Sequence, residues 1–490
     1  MKKTLIALLA LLTVCSAAYA ETVGNNGEET KTEASNKKKK NVTYNEKGEI
    51  IKTGINIGPL PVVAFDADRG FQFGALLNIY DFGNGANYPN PNSQWYIEAS
   101  AYAKESKIGS YKFILNYDNK TLIPGVRMSI CSGYYKDTAL DFYGLNGFQS
   151  NYDMNFIGDY TIFGDNKAGE KLEKKFINKG KLPKGFYRHG RDLIKAKAEF
   201  TGEILKNFYW EAGYSFAWTK TQSFAPQGYT VFNTPEAAAD GFYVDGGTTL
   251  FDLYKAWGII PESQADGGFT SGVRLGLMYD SRNVENNPTK GIWAEGHLML
   301  NPWWLGTTRG QEHYKYSLTM RQYVPIVPEK LTFAYRIAYE GTIGDAPWYT
   351  APFYTSVGIK PDYDGFGGYR TVRGLMLNRV QGLDVGFYNI ELRYKFVEFQ
   401  LWKQNIAFAL STFTDGAHVF RGYDLKNKTG QYVDFYNKFI NSKKDGFHGS
   451  AGLGLRFIMN QNFIVAFEGA QCFNKQDGGF AFYLNTGFLF

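Results

Sequence analysis

From Gly54 onward the chain breaks into segments in which apolar and polar side chains alternate, the period of a β-strand with two unlike faces. Between Phe208 and Thr219, the residues Phe208, Trp210, Ala212, Tyr214, Phe216 and Trp218 interleave with Tyr209, Glu211, Gly213, Ser215 and Thr219. Leu331, Phe333, Tyr335, Ile337 and Tyr339 alternate in the same way with Thr332, Arg336 and Glu340, and Tyr314, Tyr316, Leu318 and Met320 with Lys315, Ser317, Thr319 and Arg321. Sixteen such segments can be counted, each about ten residues or more, the length a tilted strand needs to cross a hydrocarbon layer. One alternating strand proves little, because a soluble sandwich alternates too. Sixteen in series, closing on FAFYLNTGFLF and an aromatic Phe490, predict an all-β fold: a sixteen-stranded antiparallel transmembrane β-barrel with a polar lumen and an apolar outer face.

The ends fit that prediction. Lys2 and Lys3 precede an apolar run from Leu5 to Val14, and Ala18-Tyr19-Ala20 supplies the small residues that a signal peptidase accepts, so residues 1–20 read as a signal peptide cleaved before Glu21. Cys15 does not mark a lipoprotein, since Val14 before it is too bulky for that processing site. Residues 21–52 are polar and without hydrophobic period and are expected to be a disordered periplasmic leader, which leaves 53–490 for the barrel. The long connections, about Lys136 to Arg188, Gln222 to Gly267, Gly344 to Gly382 and Arg421 to Lys444, all follow odd-numbered strands, while most even-numbered turns are brief. Short periplasmic turns and long external loops are the asymmetry of an outer-membrane barrel. Asn84 to Ser93 and Ser281 to Lys290 are longer exceptions among the turns.

Composition narrows the function classes. No stretch after the signal approaches the length of apolar helix that spans a bilayer, while aromatics make up 17% of the chain. The formal charge of +6 includes Lys2, Lys3 and the run Lys37 to Lys40, all outside the barrel, and so does not point to nucleic acid. Cys131 and Cys472 fall on strands far apart and suggest neither a disulfide nor a redox pair. No zinc-ligand spacing and no phosphate-cradling glycine loop appears, so neither metal nor cofactor is expected.

The informative motif lies in the long loop between strands eleven and twelve, which reads Gly367-Gly368-Tyr369-Arg370-Thr371-Val372-Arg373-Gly374-Leu375. It resembles the Val-Arg-Gly-Tyr/Phe motif of the BamA, TamA and FhaC superfamily of outer-membrane insertases and two-partner-secretion translocators, also called bacterial surface antigens, with Leu375 in place of the aromatic. Asn389-Ile390-Glu391-Leu392-Arg393 is similar to that family's strand-twelve motif, and Phe413-Thr414-Asp415-Gly416-Ala417 to its strand-thirteen motif, with the glycine one place early. Alternation independently places Glu391 and Arg393 opposite Ile390 and Leu392, and Asp415 on the face of Ala407, Ala409 and Ser411, hence in the lumen. The resemblance implies that the loop folds into the lumen and that Arg373, with Val372 and Gly374 beside it, meets the acids Glu391 and Asp415. Two carboxylates are suitable bidentate acceptors for a guanidinium fork in a partly desolvated site. Further likeness lies in Phe142-Tyr143-Gly144-Leu145, Tyr279-Asp280-Ser281-Arg282 and the strand-fourteen segment His448 to Phe457, and Phe488 and Phe490 match the aromatic pair of the C-terminal signal read by the barrel-assembly machinery.

The resemblance implies a barrel in the bacterial outer membrane that assists insertion or translocation of polypeptide or lipid. The segment ahead of the barrel is too short for the POTRA domains of the family, so capture of unfolded exported clients is expected to fall to a separate periplasmic partner. Pro59 and Pro61 beside strand one remove ladder donors and favour a weak seam between the first and last strands, or simply mark where the strand starts. A passive channel, selective through Arg274, Arg321, Arg336, Glu340, Glu391 and Arg393, is the main alternative. A lipid hydrolase built on His448 and Ser450 is a weaker one, because Phe447, Ala451 and Leu453 take the lipid face and send both residues inward; no enzyme activity is expected.

Overall fold

The computed structural model describes residues 43–490 other than 47, 67–69, 105–106, 153–183, 225–248, 345, 352 and 356–362, so the expected signal peptide and the leader as far as residue 42 lie outside the described residues. Sixteen antiparallel strands form one sheet in simple chain order. The first eight are β1 (Ile55–Asp66), β2 (Gly70–Asp81), β3 (Ser93–Lys104), β4 (Lys107–Ile123), β5 (Val126–Asp141), β6 (Arg188–Leu205), β7 (Phe208–Ser223) and β8 (Gly267–Asp280). The second eight are β9 (Gly291–Asn301), β10 (His313–Val327), β11 (Leu331–Gly344), β12 (Asp384–Leu401), β13 (Gln404–Arg421), β14 (His448–Met459), β15 (Phe463–Cys472) and β16 (Phe480–Thr486). The order of the ladder and the family fold described below are those of a barrel. The ends of the sheet, β1 and β16, share no ladder pairing among the described residues.

Register follows from the two-faced pattern, because a one-residue slip would exchange the faces of a whole strand. Ser317 pairs with Glu340 and Thr319 with Ala338 on one face of β10 and β11, and Leu318 pairs with Tyr339 on the other. The first set is buried, while Leu318, Ile337, Tyr314 and Met320 are exposed where lipid would cover them. The inward side chains of β7 and β12 obey the same rule: Glu211, Thr219, Glu391 and Arg393 are buried, and Trp210, Trp218, Ile390 and Leu392 are exposed. The ladder of β1 to β2 runs unbroken through Pro59 and Pro61. Two residues apart, both prolines leave the same edge of β1 without a donor, and an unbroken ladder makes it the edge away from β2.

The two mouths are closed differently. At the long-loop end, Phe142, Tyr187, Phe251, Tyr254, Trp257 and Trp348, drawn from three loops, join in a buried aromatic dome with Leu425 and Phe439 from a fourth. Its centre is the short helix α1 (Leu250–Ala256), started by a capping box in which Thr249 and Asp252 satisfy each other's backbone donors. At the short-turn end the two longer turns cross the mouth. Asn462 Nδ2 donates to the Pro89 carbonyl at 2.7 Å, Asn286 Nδ2 to Asn462 Oδ1 at 2.7 Å, and the Glu285 backbone N–H to Asn90 Oδ1 at 3.2 Å. Turns 82–92, 281–290 and 460–462 thus interlock through amides into a floor.

The end of the segment expected to be disordered is instead folded. Residues 43–46 and 48–51 form a small hairpin, with the Ile51 N–H on the Thr43 carbonyl and the Gly48 N–H on the Asn45 carbonyl. It is seated on the turns of β12–β13 and β14–β15, and Ile50 is buried. Composition hid this because the partners of a polar segment lie more than 350 residues away.

The floor holds one charged knot, in which Glu285 meets Lys120 at 2.6 Å and Arg127 at 3.3 Å. Burial pushes the Glu285 carboxyl up, but Arg127, Lys120 and Arg282 outweigh it and hold the group well below the usual carboxylate range. A carboxylate depressed in the folded state contributes stability above its unfolded pKa of about 4.3 and loses it as pH falls further. Acidification below about pH 4 is therefore expected to lower the temperature at which the folded, heat-modifiable band disappears in a gel. Glu285→Gln is expected to flatten that acid limb and to lower the neutral-pH value.

Candidate functional site

Loop 6, which joins β11 to β12, enters the lumen and folds on itself before reaching its tip. Phe366 and Val380 pair as an isolated bridge, the Gly368 N–H meets the Leu375 carbonyl at 2.9 Å, and the Thr371 hydroxyl turns back onto the Gly365 and Gly367 carbonyls. Val372 and Leu375 pack with Tyr354, Phe366 and Phe387 in a closed apolar cluster. Leu375, where the motif would have an aromatic, thus fills a packing position. The tip is tied to the wall by Asn389 of β12, whose Nδ2 donates to the Thr371 carbonyl at 2.6 Å.

At the tip Arg373 is fully buried and all of its donors are directed at acids. Asp415 of β13 accepts Nε at 2.8 Å, Nη2 at 2.9 Å and the Arg373 backbone N–H at 3.0 Å. Nη1 lies 2.6 Å from Glu391 of β12 and 2.7 Å from Glu468 of β15. The guanidinium lies 3.5 Å over the ring of Phe413, a cation–π contact in a desolvated site. Gly374 has φ +92, a backbone conformation that strains any other residue, and a Cβ there would sit tightly, 3.1 Å from Ser450 and 3.2 Å from Ala470. Its N–H donates to the Tyr483 hydroxyl of β16 at 2.9 Å.

Two wall arginines complete the charge set. Arg456 reaches Glu468 at 2.8 Å and Glu391 at 3.5 Å, and Arg393 reaches Glu391 at 2.6 Å. Arg373, Arg393 and Arg456 therefore face Glu391, Asp415 and Glu468, one of these cations coming from the loop and two from the wall. Glu468 lies outside the motifs of the sequence, and Arg456 lies within the strand-fourteen segment without having been assigned to the site. The signal for Glu468 is a lone acid among Ile464, Ala466, Ala470 and Cys472 on the inner face of β15, where small neighbours leave room for a charge to be met.

Phe488 and Phe490 do not continue the last strand. β16 stops at Thr486, Gly487 takes φ +85, and the tail turns into the lumen. Phe488 lies 4.4 Å from the Arg393 guanidinium and 4.9 Å from that of Arg456, and Phe490 lies 4.8 Å from Arg393 and 5.2 Å from Arg336. A terminal main-chain oxygen of Phe490 accepts from Arg393 at 3.2 Å, and its ring stacks on Tyr323 at 6.3 Å. The alternation alone cannot distinguish this from a continued strand, because the arginines that draw the tail inward come from β11, β12 and β14.

His448 and Ser450 are both buried, but their polar atoms are turned to other partners. His448 Nδ1 faces Asp477 at 2.7 Å and Nε2 faces Asp445 at 3.1 Å, with the ring stacked on Phe148. Ser450 donates to the Arg373 carbonyl. In the loop, burial raises the Asp445 carboxyl, yet His448 and the backbone N–H groups of Phe148 and Val419 prevail and hold it below the ordinary aspartate range. The geometry is that of a clamp between loops. Cys131 and Cys472 are both buried and form no disulfide, and among the described residues no group of His, Cys, Asp or Glu is arranged to hold a metal ion.

The family profile described as the Omp85 superfamily domain matches residues 143–490. Among solved structures, CdiB from Escherichia coli is similar at a TM-score of 0.51 and 10% identity, over 89% of this chain and 63% of that one. BamA from Haemophilus ducreyi lacking POTRA domains 1-3 is similar at a TM-score of 0.47 and 14% identity, over 89% of this chain and 70% of that one. At these identities the likeness to CdiB is one of fold, and the chain spans under two thirds of the CdiB length. No curated protein matches the chain by sequence. The profile runs from the β5–β6 loop through β16 and includes the loop that carries Arg373 and every acid around it, and the chain belongs to the Omp85 superfamily.

Proposed function

We propose that the protein is an outer-membrane barrel that inserts or translocates polypeptide at the bacterial outer membrane, with a separate POTRA-type partner delivering unfolded exported clients. The observation that carries the reading is the bond from Gly374 at the tip of loop 6 to Tyr483 on β16, the strand at an end of the sheet that has no ladder pairing to β1 among the described residues. Through it, and through Arg393 and Arg336 on the tail, the loop motif holds the strand that would have to move for a client to pass sideways. In this reading Val372 and Gly374 shape the tip, Arg373 is the strut, Glu391, Asp415 and Phe413 are its seat, and Phe488 and Phe490 moor the seam strand.

A passive channel needs a wet lumen, whereas Arg274, Arg321, Arg336, Glu391 and Arg393 are all buried behind the dome and floor. Photocrosslinking in living cells from Val63 on β1 and Phe482 on β16, both exposed at the sheet ends, tests the proposal. Adducts with partly folded exported proteins are expected. Adducts with lipid alone, from probes shown to react, would overturn it.

A further inference from the structure

The hairpin ahead of β1 is held as a ligand is held. Asn405, at the start of β13, presents its amide edge-on to one residue: Oδ1 accepts the Ile50 N–H at 3.0 Å and Nδ2 donates to the Ile50 carbonyl at 3.1 Å. That is the paired donor and acceptor a neighbouring strand would offer. Gln400 donates to the Gly48 carbonyl at 2.6 Å, Gln461 donates to the Glu49 carboxylate, and Lys52 Nζ reaches the Lys403 carbonyl and Gln404 Oε1, each at 2.8 Å. The Ile50 side chain is the one apolar plug, 7% exposed. Asn405 and Gln400 read main chain at Ile50 and Gly48, while Glu49 and Lys52 add side-chain contacts, so the seat recognises the backbone on either side of one aliphatic anchor, with a carboxylate and an ammonium beside it.

The placement is also telling. The hairpin leads directly into β1, whereas its seat lies on the turns of β12–β13 and β14–β15, beside the other end of the sheet. The segment therefore ties the start of β1 to the turns of β12–β13 and β14–β15, strands with which β1 shares no ladder pairing among the described residues. Release would free the start of β1 from those turns without breaking a strand.

We propose that the turns of β12–β13 and β14–β15, with Asn405, Gln400 and Gln461 as the recognising side chains, form a docking site for an extended polypeptide segment, and that residues 43–53 are its resident, displaceable occupant. The class of competing occupant, an unfolded exported polypeptide, rests on the function proposed above. A tethered occupant competes at an effective concentration in the millimolar range, so the site is masked in the resting protein.

The test uses the full-length barrel in detergent micelles and a fluorescent peptide with the sequence of residues 43–53. Ile50→Asp places a charge in the apolar seat and detaches the resident segment, while the strands stay intact, as heat-modifiable migration verifies; Ile50→Ala serves if that variant does not fold. The peptide is expected to bind Ile50→Asp more than about ten-fold tighter than the wild type, and the gain is expected to vanish in Ile50→Asp with Asn405→Ala. No binding to Ile50→Asp, or equal binding to all three proteins, would overturn the site. A urea-unfolded outer-membrane precursor is expected to displace the bound peptide, and failure to do so would overturn the client assignment. Seam adducts without peptide binding would remove this site and leave the proposed function standing, and peptide binding without adducts would do the reverse.

Discussion

Arg373→Ala is expected to cost about 3–5 kcal/mol of barrel stability, because it strips the shared cation from three buried carboxylates and leaves Asp415 with the backbone N–H of residue 373 alone in place of the guanidinium fork. Asp415 accepts three bonds from this one residue, while Glu391 and Glu468 keep Arg393 and Arg456. The loss should show as a fall in the temperature at which the heat-modifiable band is lost and as less protein in the outer membrane. Arg373→Lys is expected to fall between the two, since a point charge cannot serve Asp415 bidentately while also reaching Glu391 and Glu468. Pairing Arg373→Ala with Asp415→Ala should recover part of the loss, because the stranded charge is removed with its partner. If Arg373→Ala leaves the melting temperature unchanged, the buried network contributes nothing to holding loop 6 and the strut assignment fails.

The second large effect concerns current. A barrel of sixteen to eighteen strands is wide enough for an aqueous channel, yet here dome, loop 6 and floor lie one behind another. In planar bilayers the wild-type protein is expected to be nearly silent. Loosening a single layer should give flicker at most: Tyr254→Ala with Trp257→Ala in the dome, where each loss of an aromatic costs about 3–5 kcal/mol, or Gln461→Ala with Asn462→Ala in the floor. Steady conductance is expected only when both sets are combined with Arg373→Ala. Steady current from the unaltered protein would mean that the three layers do not act in series, and would return the channel reading to first place.

The legible part of this protein is what alternation can carry. The period of two at Phe208 to Trp218 or Tyr314 to Arg321 fixes strand, face and register together, because one wrong register would put Glu211 or Arg321 into lipid. Counting strands then located loop 6, and alternation on β12 and β13 gave the inward faces of Glu391 and Asp415. What the sequence did not display depends on partners distant along the chain. The inward turn at Gly487 follows from arginines on β11, β12 and β14. The ordered hairpin ahead of β1 depends on amides of Gln400, Asn405 and Gln461, and the dome on aromatics scattered over four loops. Polar and aromatic side chains of that kind are as common in unpacked loops as in packed ones, so composition does not separate the two.

The cation that the loop brings to the lumen cluster has a consequence for biogenesis. Loop 6 supplies one of three cations, and its base is covered: Arg379 is bonded to the Gly147 and Ser150 carbonyls of the loop after β5 and to the Gln476 carbonyl of the turn after β15. Threading the loop into a finished cylinder would require that lid to come off and Glu391, Asp415 and Glu468 to wait without the arginine that all three share. The inexpensive order is the opposite one, with the hairpin tip already against β12 and β13 while the sheet is still open and the later strands wrapping around it. The loop is then a mandrel on which the barrel is wound, and its arginine is a checkpoint that lets the final strands settle only around a correctly placed core.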